Sequence, residues 1–197
     1  MKEDMAKREL DNSPEAKAKR VRTSRRSKRK GNAFELLCAH KIVDAAGTPF
    51  EKKDCYRTPQ SGGHRFAGAN DLQISDRLLA IFPFGGEMKH RKSFRIEQMF
   101  DPTQEIGEYH NQVLAALERA PRPNIHPLLV VRGNGGLIYC ASYRDALNQY
   151  WDTLPATPGF VYRHGRAIWN MVLFDNLLNA LRAKAETARQ VGILQAA

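Results

Sequence analysis

Only three cysteines occur in 197 residues, at positions 38, 55 and 140. That is too few, and too scattered, for a disulfide framework or a four-ligand zinc site. No run of eighteen apolar residues is present, which excludes a membrane-spanning helix, and the first residues lack the apolar stretch of a secretory signal. Acidic residues are missing altogether from Lys17 to Lys30, which holds nine lysines and arginines. These absences favour an intracellular protein with reduced thiols and no organic cofactor, in the cytoplasm or at the nucleoid of a cell.

What is present is positive charge, unevenly placed. The net charge is +10, but residues 1–30 carry 12 basic against 5 acidic side chains, leaving 19 against 16 for the rest. A block of like charge cannot bury apolar surface to offset its ordering entropy, so residues 1–29 are expected to be a disordered basic tail, with a folded domain from 30 to 197. A solubilising or targeting tail has the same composition, but Arg25, Arg26, Lys28, Arg29 and Lys30 suit a DNA phosphate backbone.

Periodicity supplies the elements. Phe34, Cys38, Ile42 and Ala45 share a helical face over residues 32–46. Extended segments are expected near 54–58, 71–75 and 78–82, and Gly85-Gly86 lets the chain bend into a strand at Glu87. Asp101-Pro102-Thr103-Gln104 reads as a helix start, with Ile106, Val113, Leu114 and Leu117 following. Two hairpins are expected, 127–132 with 137–142 across Gly133-Asn134-Gly135-Gly136, and 160–163 with 166–173 across His164-Gly165. A closing helix runs from Asp175. The pattern predicts an α/β fold, a mixed sheet flanked by helices.

The chemistry concentrates between residues 35 and 92. Strand side chains two apart share a face, so Glu87 and Lys89 point into one site, and Asp71 joins them if its strand lies alongside. Two carboxylates with a cation are what metal-assisted phosphodiester hydrolysis needs: hard oxygens for a divalent ion, and a positive group beside the attacking water. A surface ion pair would account for Glu87 and Lys89 but contributes only about 0–1 kcal/mol. Glu35 has two readings. Asn32-x-x-Glu35 fits a capping box, in which Glu35 bonds back to the Asn32 amide; otherwise it contacts a metal or water. Ser61 in Ser-Gly-Gly fits turn chemistry as well as phosphate binding, and no Asp/His pair is placed to make it a nucleophile. His64 and His90 match no zinc or HNH-type pattern. His90, Arg91, Lys92 and Arg95 extend the basic surface past Lys89. Phe94, Phe100, Tyr150 and Trp151 can stack on bases, although burial is the commoner fate.

Taken in order, a helix with Glu35, the segment Arg57-Thr58-Pro59-Gln60-Ser61-Gly62-Gly63, Asp71, and Glu87-Met88-Lys89 resemble the Holliday junction resolvases of the PD-(D/E)xK nuclease superfamily, archaeal-type and phage relatives above all. Asn70 stands where many members have proline, a position that shapes the turn and supplies no ligand. The resemblance implies a restriction-endonuclease-like core and a homodimer acting on four-way DNA junctions. It implies Mg²⁺, with Mn²⁺ able to substitute, bound by Asp71, Glu87 and the Met88 carbonyl, with Glu35 contributing directly or through water. Lys89 would serve the attacking water, and Arg57 and Ser61 the scissile phosphate.

Overall fold

Among the described residues the sequence leads through five α-helices and seven strands. In order these are α1 (Pro14–Ala46), β1 (Cys55–Arg57), β2 (Leu72–Ile74), α2 (Asp76–Leu79), β3 (Phe84–His90), α3 (Glu105–Arg119), β4 (His126–Arg132), β5 (Ile138–Tyr143), α4 (Arg144–Trp151), β6 (Phe160–His164), β7 (Ala167–Leu173) and α5 (Phe174–Gln190). A computed structural model describes residues 13–58, 70–99, 105–119, 122, 124–151 and 159–194.

β3 to β7 form one mixed sheet in the order β3-β4-β5-β7-β6, parallel only between β3 and β4 and antiparallel elsewhere. Leu128-Leu129-Val130-Val131 on β4 is a continuous apolar run because both faces of this strand are covered. Leu128 and Val130 join Phe84, Met88, Cys140 and Val172 in the core under α1, α4 and α5. Leu129 and Val131 turn the other way, with Ala141, Trp169 and Met171, against Tyr109 and Val113 of α3. This is the expected mixed sheet flanked by helices. Both hairpins are present, the first with Gly135 at φ 65° and the second with Gly165 at φ 59° in its turn. The closing helix is present too.

Several expectations are corrected. Leu78–Phe82 is not a strand: the Ser75 hydroxyl accepts from the Leu78 amide, and a short helix, α2, forms instead. The first helix does not begin at Asn32. Ser13 caps it, Pro14 occupies its first turn, and it runs unbroken to Ala46. The disordered tail expected up to residue 29 is therefore helical from Pro14 onward, because alanine, lysine and arginine are strong helix formers; residues 1–12 lie outside the described set. The helix start at Asp101–Gln104 also lies outside it, as do His64 and Phe100. α4 had no expectation at all. Tyr150 on α4 is buried, and its hydroxyl donates to the Ile81 carbonyl at 2.8 Å, while Trp151 packs half-buried on the same core. Phe94 lies against Tyr139. Burial wins over base stacking for all three.

Asp54 pins β1 to α2. Its carboxylate accepts from Arg77, from the Ser75 hydroxyl at 2.7 Å and from the Glu51 amide at 2.9 Å. Arg77 above all, with those two hydrogen bonds, holds the Asp54 carboxyl well below the usual carboxylate range. A carboxyl lowered on folding stabilises the fold above its unfolded value and loses that contribution as pH falls. Asp54→Asn should cost about 1–3 kcal/mol at pH 7, with the difference from wild type shrinking as pH drops below about 4. Urea melts at pH 7 and pH 2.5 check this; an equal difference at both would contradict it.

Candidate active site

β3 is an edge strand, and Asp71 lies along its open edge. The Asp71 amide donates to the Gly86 carbonyl at 3.1 Å, and its Oδ2 accepts from the Met88 amide at 2.7 Å. Thr58, fully buried, holds the other side: its amide donates to the Asp71 carbonyl and its hydroxyl to the Asn70 carbonyl, both at 2.8 Å. Asp71 thus reaches β3 through the turn before β2, although β2 itself pairs only with β1. The amide and carbonyl of one strand residue point to the same side, so the Met88 carbonyl shares the edge that Asp71 occupies.

Glu87 and Lys89 point together to the α3 face, as the strand period requires. Lys89 Nζ donates to Glu87 Oε2 at 2.7 Å and sits 5.4 Å over the ring of Tyr109. Asp71 and Glu87 are 7% and 8% exposed. Burial first, and then the negative charge of Asp71, push the Glu87 carboxyl up to about 7 against the pull of Lys89, and its acid form hydrogen-bonds Asp71. Two buried carboxylates in mutual repulsion, with a backbone carbonyl on the same edge, are a donor set that fits a hard divalent cation. Among the described residues no cluster of three or more His, Cys, Asp or Glu exists.

Glu35 is engaged by Arg57 of β1. It is buried, and Arg57 Nε donates to its Oε2 at 2.6 Å while Arg57 Nη2 reaches Asn32 Oδ1 at 3.0 Å. The capping box fails for the same reason: Asn32 lies inside a helix, where its amide needs no side-chain partner. Arg57 stands beside the site tied to α1. Ser61 lies outside the described residues.

Past Lys89 opens a cleft of about 840 Å³ between α1 and the end of β3. Arg26, Lys30, Lys89, Arg91 and Lys92 line it, with His90 and, among the described residues, without a carboxylate. Lys30 Nζ reaches Asn134 Oδ1, on the β4–β5 turn, at 3.5 Å. The Tyr109 hydroxyl and His90 Nε2 also border the cleft, both buried and without a hydrogen-bond partner among the described residues. Arg91 lies 4.7 Å over the Tyr109 ring. Of the other cations singled out in the sequence, Arg25, Lys28 and Arg29 are exposed on α1 away from this cleft.

An acidic pair, a lysine on the same strand face and an acid-free basic cleft form a phosphodiesterase arrangement. A family model described as "Phage putative PDDEXK endonuclease" matches residues 26–159. The chain belongs to this family. It is a nuclease of the PD-(D/E)xK superfamily, whose members generally use divalent metals. No curated protein and no solved structure matches it. In this PDDEXK endonuclease the sequence left Tyr109, Thr58 and Asn134 unmarked. Tyr109 had one signal, an aromatic four residues before Val113 on the face of α3 that meets the sheet. The other two act through contacts that local pattern does not encode.

Proposed function

We propose that this PDDEXK endonuclease is a Mg²⁺-dependent, structure-selective DNA endonuclease that resolves four-way junctions as a homodimer, with Mn²⁺ able to replace Mg²⁺. The observation that carries the reading is the meeting of Asp71 and Glu87 beside Lys89 at the mouth of a basic cleft. A divalent cation held by Asp71, Glu87 and the Met88 carbonyl would supply Lewis acidity and an activated water. Lys89 orients the attacking water and offsets the negative charge that builds on the oxygens of the pentacoordinate phosphorane. Arg57, fixed by Glu35 and Asn32, is placed to steady a phosphate oxygen. His90, Arg91 and Lys92 hold the backbone next to the cut, leaving 5′-phosphate and 3′-hydroxyl ends. Paired cuts on strands of like polarity need two identical sites related by a two-fold axis, which a homodimer provides.

One gel tests the proposal: a four-way junction and a linear duplex of the same sequence, each with Mg²⁺ and with chelator. A resolvase cuts the junction at least about tenfold faster, an effect of around 1.4 kcal/mol, and only with metal. Faster cutting of the duplex would instead make it a restriction-type enzyme, and binding without cutting would leave a DNA-binding protein.

A further inference from the structure

Gly85, Glu87 and Lys89 share the α3 face of β3, spaced about 6.6 Å apart by the strand rise. The basic cleft begins at the Lys89 end of this row. At the Gly85 end lies a second pocket, of about 460 Å³ and of different chemistry. A side-chain carbon at Gly85 would lie 2.9 Å from both the Asn70 amide nitrogen and Leu117 of α3, which border this pocket. Leu72, Leu79 and Ile125 continue its apolar wall. Tyr56 of β1 stands at its rim, 42% exposed, with its hydroxyl donating to Gln73 Oε1 at 2.6 Å. Asn70, next to Asp71 in the chain, has its Oδ1 buried without a hydrogen-bond partner among the described residues. The cleft is lined by five cations, whereas the charges here are Lys53 and the ion-paired Arg122 and Asp76.

A phosphate asks for cations and hydrogen-bond donors. A nucleobase asks for apolar walls, an aromatic ring to lie against and a few amide groups for its polar edge. The two ends of the row meet these two needs separately. We infer that the second pocket takes one nucleobase of the strand being cut, on the side of the scissile phosphate away from the basic cleft. Tyr56 and the leucines receive the faces of the base, and the unpaired amide oxygen of Asn70 accepts from its edge. The pocket volume falls within the range of small-molecule sites, about 300–1,000 Å³. A base inside a duplex is paired and stacked, and taking it out costs free energy that a base already loose at a branch does not. The pocket therefore favours cutting beside an unstacked base. The inference rests on the junction-nuclease reading and adds a way for the site to sense the branch.

The test is a binding cycle in chelator, on a four-way junction and on copies in which each nucleotide flanking the branch point of one strand is made abasic in turn. Removing a base leaves the phosphates, so the salt-dependent part of the affinity is kept. The wild type should lose about tenfold on one of the abasic junctions, as expected for one stacked base. Tyr56→Ala, an exposed position, should weaken the intact junction by a similar factor and bind intact and abasic junctions within about twofold of each other. Gln73→Trp, which narrows the pocket, should do the same at an unchanged melting temperature. Arg91→Ala, in the basic cleft, should weaken every junction and keep the ratio of about ten between intact and abasic. Equal wild-type affinity for the intact and abasic junctions would overturn the base pocket, and so would a ratio that survives in both pocket variants. If the wild type cuts no DNA with Mg²⁺ or Mn²⁺, the nuclease reading fails by itself, since the binding cycle does not depend on cleavage.

Discussion

Asp71→Asn and Glu87→Gln should each lower the cleavage rate by about three orders of magnitude while leaving DNA affinity within about threefold of wild type. Both changes preserve shape. The asparagine oxygen can still accept from the Met88 amide, so the edge of β3 keeps its geometry. Glutamine at 87 removes a buried charge that Asp71 already repels, so thermal stability should hold or rise. What is lost is negative charge for a divalent ion, and with it the activated water. Lys89→Ala should cost about a hundredfold or more, because it removes charge compensation at the phosphorus and leaves the carboxylates in place. Affinity should survive all three, since most of it comes from phosphate contacts elsewhere in the cleft. Single-turnover cleavage with Mg²⁺ and binding in chelator are the two measurements. A Glu87→Gln protein that cuts at the normal rate would remove the site assignment.

The meeting of Glu87 and Lys89 was legible because its geometry is short-range. Strand periodicity alone puts Glu87 and Lys89 on one face, and the order of motifs pointed to Asp71. How Asp71 arrives was not legible. It comes through the Thr58 and Gly86 hydrogen bonds rather than through a strand pair. Glu35 shows the limit more sharply. A capping-box pattern is informative only where a helix starts, and this helix starts eighteen residues earlier than Asn32, at Pro14. Its true partner, Arg57, is 22 residues away on β1.

The same locality explains the errors of secondary structure. Leu78–Phe82 is a short apolar run that suits a strand or a buried turn equally, and the deciding signal was the Ser75-Asp76 start ahead of it. The basic segment was judged on charge, although its residues also favour helix, and a charged helix needs no core when it is continuous with one that has Phe34, Cys38 and Ile42. The sheet was easier. Two glycine-bearing turns between apolar runs fixed both hairpins.

Deleting residues 1–29 should weaken junction binding by about a thousandfold at 0.1 M salt and flatten the salt slope by about three to four units. The deletion takes eight of the nine cations between Lys17 and Lys30 and spares Lys30 itself. Of these, Arg22, Arg25, Arg26 and Arg29 line one surface of α1 and Arg26 also lines the cleft, so about four phosphate contacts disappear. The fold should not notice. Among the described residues nothing before Phe34 is buried, and the carboxylates, Lys89 and the Arg57–Glu35 pair all stand on residues that remain. Melting temperature should therefore barely move, and cleavage at saturating DNA should stay within about threefold of wild type while the DNA concentration needed to saturate rises steeply. A truncated protein that keeps the full slope on junction DNA would show that α1 touches no phosphate there. A truncated protein that binds but no longer cuts at saturation would show instead that the helix positions the scissile strand, and Arg26 would then be the residue to restore first.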